Sequence, residues 1–461
     1  MTVEEKYHSS MTPTERRAAF SLAGIFSLRM LGLFLILPVF ALYAEHLEGT
    51  TPVLVGVAIG VYGLTQAFLQ IPFGLLSDRI GRKPVIIGGL LVFALGSAVA
   101  ASADTIWGVV AGRALQGSGA IAAAIMALAA DLTRESQRTR AMAVIGMSIG
   151  MAFAVALVLG PVLDHWVGVP GIFWITAALA LGGIVVVAFV VPTPQRSTFH
   201  QDAEPVPGQF GRVLRNLDLL RIDWGIFTLH MVLTAVFLAF PLLLRDLGLA
   251  TAHHWWIYLP VLVAAIGAMV PFVIIAETRH MMKQVFLGGI AVLAVAQLGF
   301  YLFKASLIGL VIALFLFFTA FNLLEATLPS IVSKVAPADA KGTAMGVYSS
   351  SQFIGAFLGG LVGGWVHQRF GTAAVFLFAF VMLSLWLAVA WGMTPPRQLS
   401  TRLLPVGDLT PDQKKAVAGQ VAAVAGVEEV VIVQSEGVAY LKVDLEALDE
   451  DALAALAVEK A

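Results

Sequence analysis

Cysteine is absent from the 461 residues. That excludes disulfides, cysteine–zinc sites and thiol redox chemistry. Charge is scarce: 12% of the residues are Asp, Glu, Lys or Arg, and the formal net charge is −1. Nothing in that balance points to a nucleic acid as partner. No G-x4-G-K-[ST] run occurs, which disfavours an ATP-driven machine. No His, Asp and Glu stand at metal-ligand spacing, so no metal, cofactor or enzymatic activity is expected. What the chain has in excess is apolar surface. It is 59% hydrophobic, with a mean hydropathy of +0.89, whereas soluble domains are about 45–50% apolar. Most of it must face lipid or other lipid-facing helices.

A helix that crosses a bilayer needs about 20 apolar residues. Runs of that size occur near 20–45, 53–76, 84–102, 106–131, 140–164, 171–192, 222–246, 255–277, 284–303, 306–332, 343–368 and 372–393. The expectation is an all-α membrane protein with twelve transmembrane helices. The first run follows Arg16 and Arg17 and is longer than the core of a secretory signal, so it is expected to stay as a membrane helix. Loops on one side of the first half hold Arg79, Arg82, Lys83, Arg134, Arg138, Arg140, Arg196, Arg212, Arg215 and Arg221. The loops between them, "EHLEGTTP", "ASADT" and "DHWVGVPG", hold no Lys or Arg. Short basic loops stay in the cytoplasm, which puts both ends of the membrane region there.

The polar segment at 193–221 divides the membrane region into a bundle at 1–192 and a second at 222–394. "IPFGLLSDRIGRK" resembles "VPFVIIAETRHMMK" some 200 residues on, "RAMAVIG" resembles "TAMGVYS", and "LGPVLDHW" lines up with "LGGLVGGW". A duplicated six-helix unit is a transporter feature. After Pro395 and Pro396 the hydropathy drops. Residues 397–461 read as strand, helix, a strand hairpin around "SEG", and a last helix, with Thr410 capping the first helix, Pro411 at its first position and Gly426 at its end. This βαββα order is that of a small α+β, ferredoxin-like domain lacking its last strand.

Between the second and third spans stands "GLLSDRIGRKP". Gly74, Asp78, Arg79, Gly81, Arg82 and Lys83 match in register the G-x-x-x-D-R-x-G-R-K motif, and the chain here closely resembles the major facilitator superfamily. "LGLFLILPV", with Pro38, resembles the L-G-x5-P-V element of its drug–proton antiporters, although Ala41 stands where that group has a second proline. "GRALQGSGAIAAA" resembles the R-x-x-Q-G element, with Arg113 and Gln116. The Gly160–Pro161 pair resembles the antiporter motif of helix five, with Ala156, Asp164 and His165 as departures.

The resemblance implies two six-helix bundles around a central cavity, alternating access, and a bacterial inner-membrane location with both termini cytoplasmic. It implies that the 74–83 loop latches the halves shut on the cytoplasmic side, against the start of helix eleven near Thr343–Gly346. It also implies that Arg113 helps move protons or bind an anionic group, the competing reading being a structural tie to a backbone carbonyl or to Gln116. Pro38 would kink its helix. Gly355, Gly359 and Gly363 share one face at four-residue spacing and suit close helix packing.

Proton coupling requires a group that changes charge inside the membrane. The candidates are Glu325 in "FNLLEATLPS", His230 in "FTLHMVL" and Arg29 in "FSLRMLG". Glu325 is the leading carrier, the competing reading being a permanent ion pair with Arg29 or Arg113. Gln116, Asn322, Gln66, Gln70 and Gln352 are candidates for the cavity lining. Asp131, Asp223 and Glu277 read as gate or surface residues at helix ends. The leading expectation is proton-coupled export of small lipophilic molecules, driven by the proton gradient. A metabolite importer of the same fold and a non-transporting membrane sensor are the alternatives. The expected partners are a small-molecule substrate, protons and lipid. For the terminal domain, itself, the membrane halves and a cytoplasmic ligand all remain open as partners.

Overall fold

A computed structural model describes residues 10–194, 206–337, 339–394, 399–407, 409–433, 437–444 and 447–456. Arg196, Pro395, Pro396, most of the predicted hairpin turn and the end of the predicted last helix lie outside them. The first half holds α1 (Pro13–Phe34), α2 (Pro52–Ile80), α3 (Arg82–Ala101), α4 (Ile106–Ser118), α5 (Ala122–Asp131) and α6 (Glu135–Val185). The second holds α7 (Leu217–Asp246), α8 (Trp255–Thr278), α9 (Met282–Leu302), α10 (Leu307–Val335), α11 (Lys341–Phe370) and α12 (Thr372–Trp391).

Among the described residues ten helices are long and apolar enough to cross a membrane. Two details bear on the count. The helical run through α6 contains a break at Gly168, whose φ of +68° only glycine adopts without strain. This break separates the runs expected at 140–164 and 171–192. α11 is 30 residues long, but its glycines, serines and glutamine dilute its hydropathy.

Three expected helices differ in detail. The run expected at 20–45 ends at Phe34. Pro38 has no N–H to offer, and the chain turns through 35–39 before a short helical turn at Phe40–Tyr43. The run expected at 106–131 is broken between Ser118 and Ala122. There Gly119 lies so close to α3 that a Cβ would fall 2.3 Å from Gly89 O. α7 begins at Leu217, earlier than expected, because the Asn216 side chain accepts from the Asp218 and Leu219 N–H groups.

The C-terminal elements are β1 (Leu399–Pro405), α13 (Pro411–Ala422), β2 (Val427–Val433), β3 (Val438–Asp444) and α14 (Glu450–Ala454). Both pairings of the sheet are antiparallel, in the order β1-β3-β2. Thr410 and Gln413 form a reciprocal cap at the start of α13. Leu404, Val421, Ile432, Leu441 and Val443 form a small separate core. Lys442, on β3, donates to Ser333 O (2.6 Å) and Lys334 O (3.3 Å) at the end of α10, joining this sheet to the membrane helices.

Candidate functional site

The site is built from three helices of the second half. His230 on α7, Glu325 on α10 and Gln352 on α11 meet near the middle of their helices. Gln352 Nε2 lies 2.7 Å from His230 Nε2, so the amide donates to that ring nitrogen and a neutral ring carries its proton on Nδ1. Glu325 Oε2 lies 3.8 Å from the same His230 nitrogen. It is enclosed and has no hydrogen-bond partner among the described residues. Asn322, half-buried, sits three residues before Glu325 and so on the same helix face.

Asp223 stands seven residues before His230, two turns along one face of α7. It is 7% exposed and its Oδ2 is enclosed without a partner. The reading of Asp223 as a surface residue is therefore corrected: the packing of α7 draws it inside. Its spacing from His230 was the signal available in the sequence. Of the other two predicted helix-end acids, Glu277 is half-exposed and pairs with Lys334 at 3.7 Å. Asp131 belongs to the basic-loop cluster described below.

A layer of aromatic rings closes one side of this cluster. Phe153 on α6 meets Phe34 on α1 at 5.1 Å, Phe237 on α7 at 6.4 Å, and Phe318 and Phe321 on α10 at 6.3 and 6.0 Å between centroids. The layer joins the two halves one helical turn from Glu325, on the side away from the basic loops. Beyond it, α2 and α11 touch backbone to backbone. A Cβ on Gly56 would lie 1.9 Å from Gly360 O, and one on Gly364 would lie 2.5 Å from Pro52 O. Arg245 also pairs with Glu45 across the halves there. No feature of the sequence reading singled out this aromatic layer, because its rings come from four helices. The interior is thus sealed on the face opposite the basic loops.

The first half holds its own buried polar set. Arg29 and Arg113 are 1% and 0% exposed. Arg113 donates to Gln116 Oε1 (2.8 Å), Ala58 O (3.3 Å) and Ile59 O (3.3 Å), and Gln116 Nε2 donates to Ser97 Oγ (2.7 Å). Arg29 Nη2 donates to Gln66 Oε1. Both guanidiniums lie over the Tyr62 ring, 5.5 and 5.1 Å from its centroid. Neither arginine is paired with Glu325. Gln70 bridges the halves instead, donating to Ser350 Oγ at 2.8 Å.

On the basic face, Gly81 turns the chain between α2 and α3 with φ +97°. Arg82 pairs with Asp78, with Ser77 Oγ (2.8 Å) and with Asp131 Oδ2 (3.3 Å), whose side chain is 0% exposed. Lys83 donates to Val191 O (2.7 Å) and Thr193 Oγ1 (3.0 Å), and Arg79 is exposed. Gly74 faces Ala123 of α5. In this conformation Asp78 is engaged by its own loop, while Thr343 at the start of α11 is taken by the connecting segment. Thr343 Oγ1 accepts from Val206 N (2.8 Å) and donates to Gln209 Oε1 (3.2 Å). Arg212 meets Asp339 at 2.9 Å.

One ion pair here carried no sequence signal. Glu15, which also caps α1, takes bidentate bonds from Arg134 at 2.8 and 2.9 Å. Its residues lie 119 apart in the chain.

The remaining predicted residues are packing elements. Gly160 lies against Leu35 O and Pro38, where a Cβ would meet them at 2.5 and 2.8 Å, and Pro161 follows it within α6. Gly355 and Gly359 abut the Phe227 and Met231 carbonyls of α7, where a Cβ would fall at 2.1 Å, and Gly363 faces Ala235. Among the described residues no group of three His, Asp or Glu is placed to hold a metal ion.

The chain belongs to the Major Facilitator Superfamily, whose family model matches residues 22–359 and 279–408. It is 48% identical to the inner membrane transport protein YajR of Escherichia coli K12, over 94% of this chain and 95% of that one. It is 26% identical to the multidrug resistance protein MdtH of Klebsiella pneumoniae, over 82% and 94% of the two chains. In fold it is similar to an inward-facing bacterial homolog of the human lysosomal transporter Spinster, with a TM-score of 0.69 at 13% identity over 83% of this chain and 97% of that one. It is also similar to the human organic anion transporter MFSD10, with a TM-score of 0.60 at 19% identity over 82% of this chain and all of that one. The chain is a multi-pass membrane transporter, and not an enzyme.

Proposed function

We propose that this transporter exports small lipophilic molecules in exchange for protons, with Glu325 as the proton carrier. The observation that carries the reading is the Glu325–His230–Gln352 cluster. It is a carboxyl group beside neutral partners, with no fixed cation within hydrogen-bond reach among the described residues. Such a group exchanges a proton without first breaking an ion pair. Export is also in keeping with the name of the similar protein MdtH.

In this reading the chain crosses the membrane twelve times, the basic loops face the cytoplasm, and the described conformation is open inward. The outward state forms when α2 and α11 part at the glycine contact. The 74–83 loop then exchanges the Arg82 bond of Asp78 for the start of α11. The elements from β1 to α14 form a cytoplasmic ferredoxin-like domain seated on α10. Proton release from Glu325 faces the basic side and proton loading the other, while cargo moves the opposite way.

The test is proton movement in vesicles carrying the purified protein under an imposed pH gradient. Lipophilic cations and neutral drugs are added in turn, and wild type is compared with Glu325→Gln. A compound that collapses the gradient with wild type alone is the expected result. Uptake of a solute down the same gradient would instead make the protein an importer.

A further inference from the structure

The first half contains a charge balance that the transport reading leaves unused. Arg29 and Arg113 are both buried. Yet α2 carries no carboxylate between Pro52 and Ser77, α3 carries none, and α4 and α5 carry none before Asp131. The acids of this half sit at its two faces. Glu15 is taken by Arg134, and Asp78 and Asp131 by Arg82. An unpaired ion in such an interior costs several kcal/mol even after relaxation. A cation–π contact returns about 2 kcal/mol when desolvated, so the Tyr62 ring offsets only part of it.

The two arginines are not equivalent. Arg113 spends its donors on a side-chain amide and two carbonyls. Arg29 makes one bond, to Gln66. Its Nε and Nη1 have no acceptor among the described residues, nor do Gln66 Nε2 and the Tyr62 hydroxyl. Tyr62 and Gln66 are four residues apart on α2 and so share a face. Arg29 is bonded to one and lies over the ring of the other. The unmet groups therefore belong to Arg29 and to two side chains that it already touches. Nearly all of them are donors. A water there would need acceptors for its own protons, and among these groups the Tyr62 hydroxyl oxygen alone supplies one. An anion accepts from all of them.

We propose that Arg29, Gln66 and Tyr62 bind a small monovalent anion of halide size inside the N-terminal bundle. Enclosure at Arg29 excludes a larger ligand. The ion balances the guanidinium charge and fixes α1 against α2. The inference stands on the packing of Arg29 and holds whatever the cargo is.

The probe is bromide. Crystals of the wild-type protein grown in sodium bromide are expected to show an anomalous peak beside Arg29. Thermal stability of the detergent-solubilised protein is expected to rise with bromide concentration relative to sodium gluconate at equal ionic strength, since a ligand bound only by the folded state stabilises it by mass action. Arg29→Met is expected to abolish the difference between the two salts, and Arg29→Lys to retain part of it. Should Arg29→Met not fold, the wild-type diffraction and salt series decide alone. Equal stability in the two salts, with no anomalous peak at Arg29, overturns the proposal and leaves water at the site.

Discussion

The two halves of the molecule differ in the charged groups they hold within their apolar spans. The first holds Arg29 and Arg113 there, its buried acids Glu15 and Asp131 being paired at the basic face. The second holds Asp223, 7% exposed, and Glu325, whose side chain is 38% exposed although its Oε2 is enclosed, with His230 beside Glu325 and, among the described residues, no arginine or lysine paired with either acid. Two bundles with this asymmetry are suited to different work. Cations tied to carbonyls, amides and a ring are fixed and give one half rigidity. Carboxyl groups without fixed counter-charges suit the other half, in the function proposed above, to act as its switch. Losses in the first half should therefore appear as lost stability, and losses in the second as lost coupling.

The sharpest way to break that comparison is to delete Arg113. Arg113→Met leaves Gln116 Oε1 without its donor, while the Ala58 and Ile59 carbonyls keep their bonds within α2, at about 1–3 kcal/mol for the one unmet buried acceptor. Thermal unfolding should show a fall of that order. Glu325→Gln, which keeps shape and a polar head, should unfold close to wild type. A variant of Arg113 that unfolds like wild type but loses coupling would reverse the assignment.

Next comes the seam between the halves. A side chain at Gly360 would begin 2.1 Å from Gly56 O. Gly360→Leu should therefore wedge α2 from α11, at about 1–3 kcal/mol of overpacking. Cysteine labelling from the sealed side should then reach residues near the Phe153 layer in the variant and miss them in the otherwise wild-type chain.

A weaker effect is expected where the C-terminal sheet sits on the second half. Burial beneath α10, reinforced by nearby Lys341 and opposed by Glu429, pulls the Lys442 amine down from 10.5 to about 8. When the sheet lifts away the amine regains its ordinary value, so the lifted state binds more protons between those two values. Docking should strengthen as pH rises through that window. Spin labels at Gln284 and Gln420 should report a growing docked population there, and Lys442→Met should flatten the trend. Smallest is the exposed Arg245–Glu45 pair across the halves. Arg245→Gln should change stability by about 0–1 kcal/mol, read from thermal unfolding at low and high salt.

Much of the architecture was legible because lipid imposes a simple rule: apolar runs of the right length, separated by polar loops. What that rule misses is local geometry inside a run. Pro38 and Gly119 interrupt helices without lowering hydropathy, so both breaks were invisible to it. The individual charged residues inside apolar runs stood out, because Glu325, His230, Arg29 and Arg113 are costly there. Apart from Gln116 for Arg113, their partners did not. Gln352 for His230 and Gln66 for Arg29 depend on which helix faces which, and a single chain does not encode that in any fixed spacing. The Phe34–Phe153–Phe318 layer is the extreme case, since phenylalanine in an apolar run carries no positional signal.

The central claim is that Glu325 is the group that changes protonation during transport. Infrared difference spectroscopy on the purified protein, recorded across a pH titration with and without a transported compound, tests it most directly. The account predicts a protonated-carboxyl band that titrates, responds to the compound, and is missing in Glu325→Gln. A band that persists unchanged in that variant, still responding to the compound, would contradict it and move the proton to another group, Asp223 first.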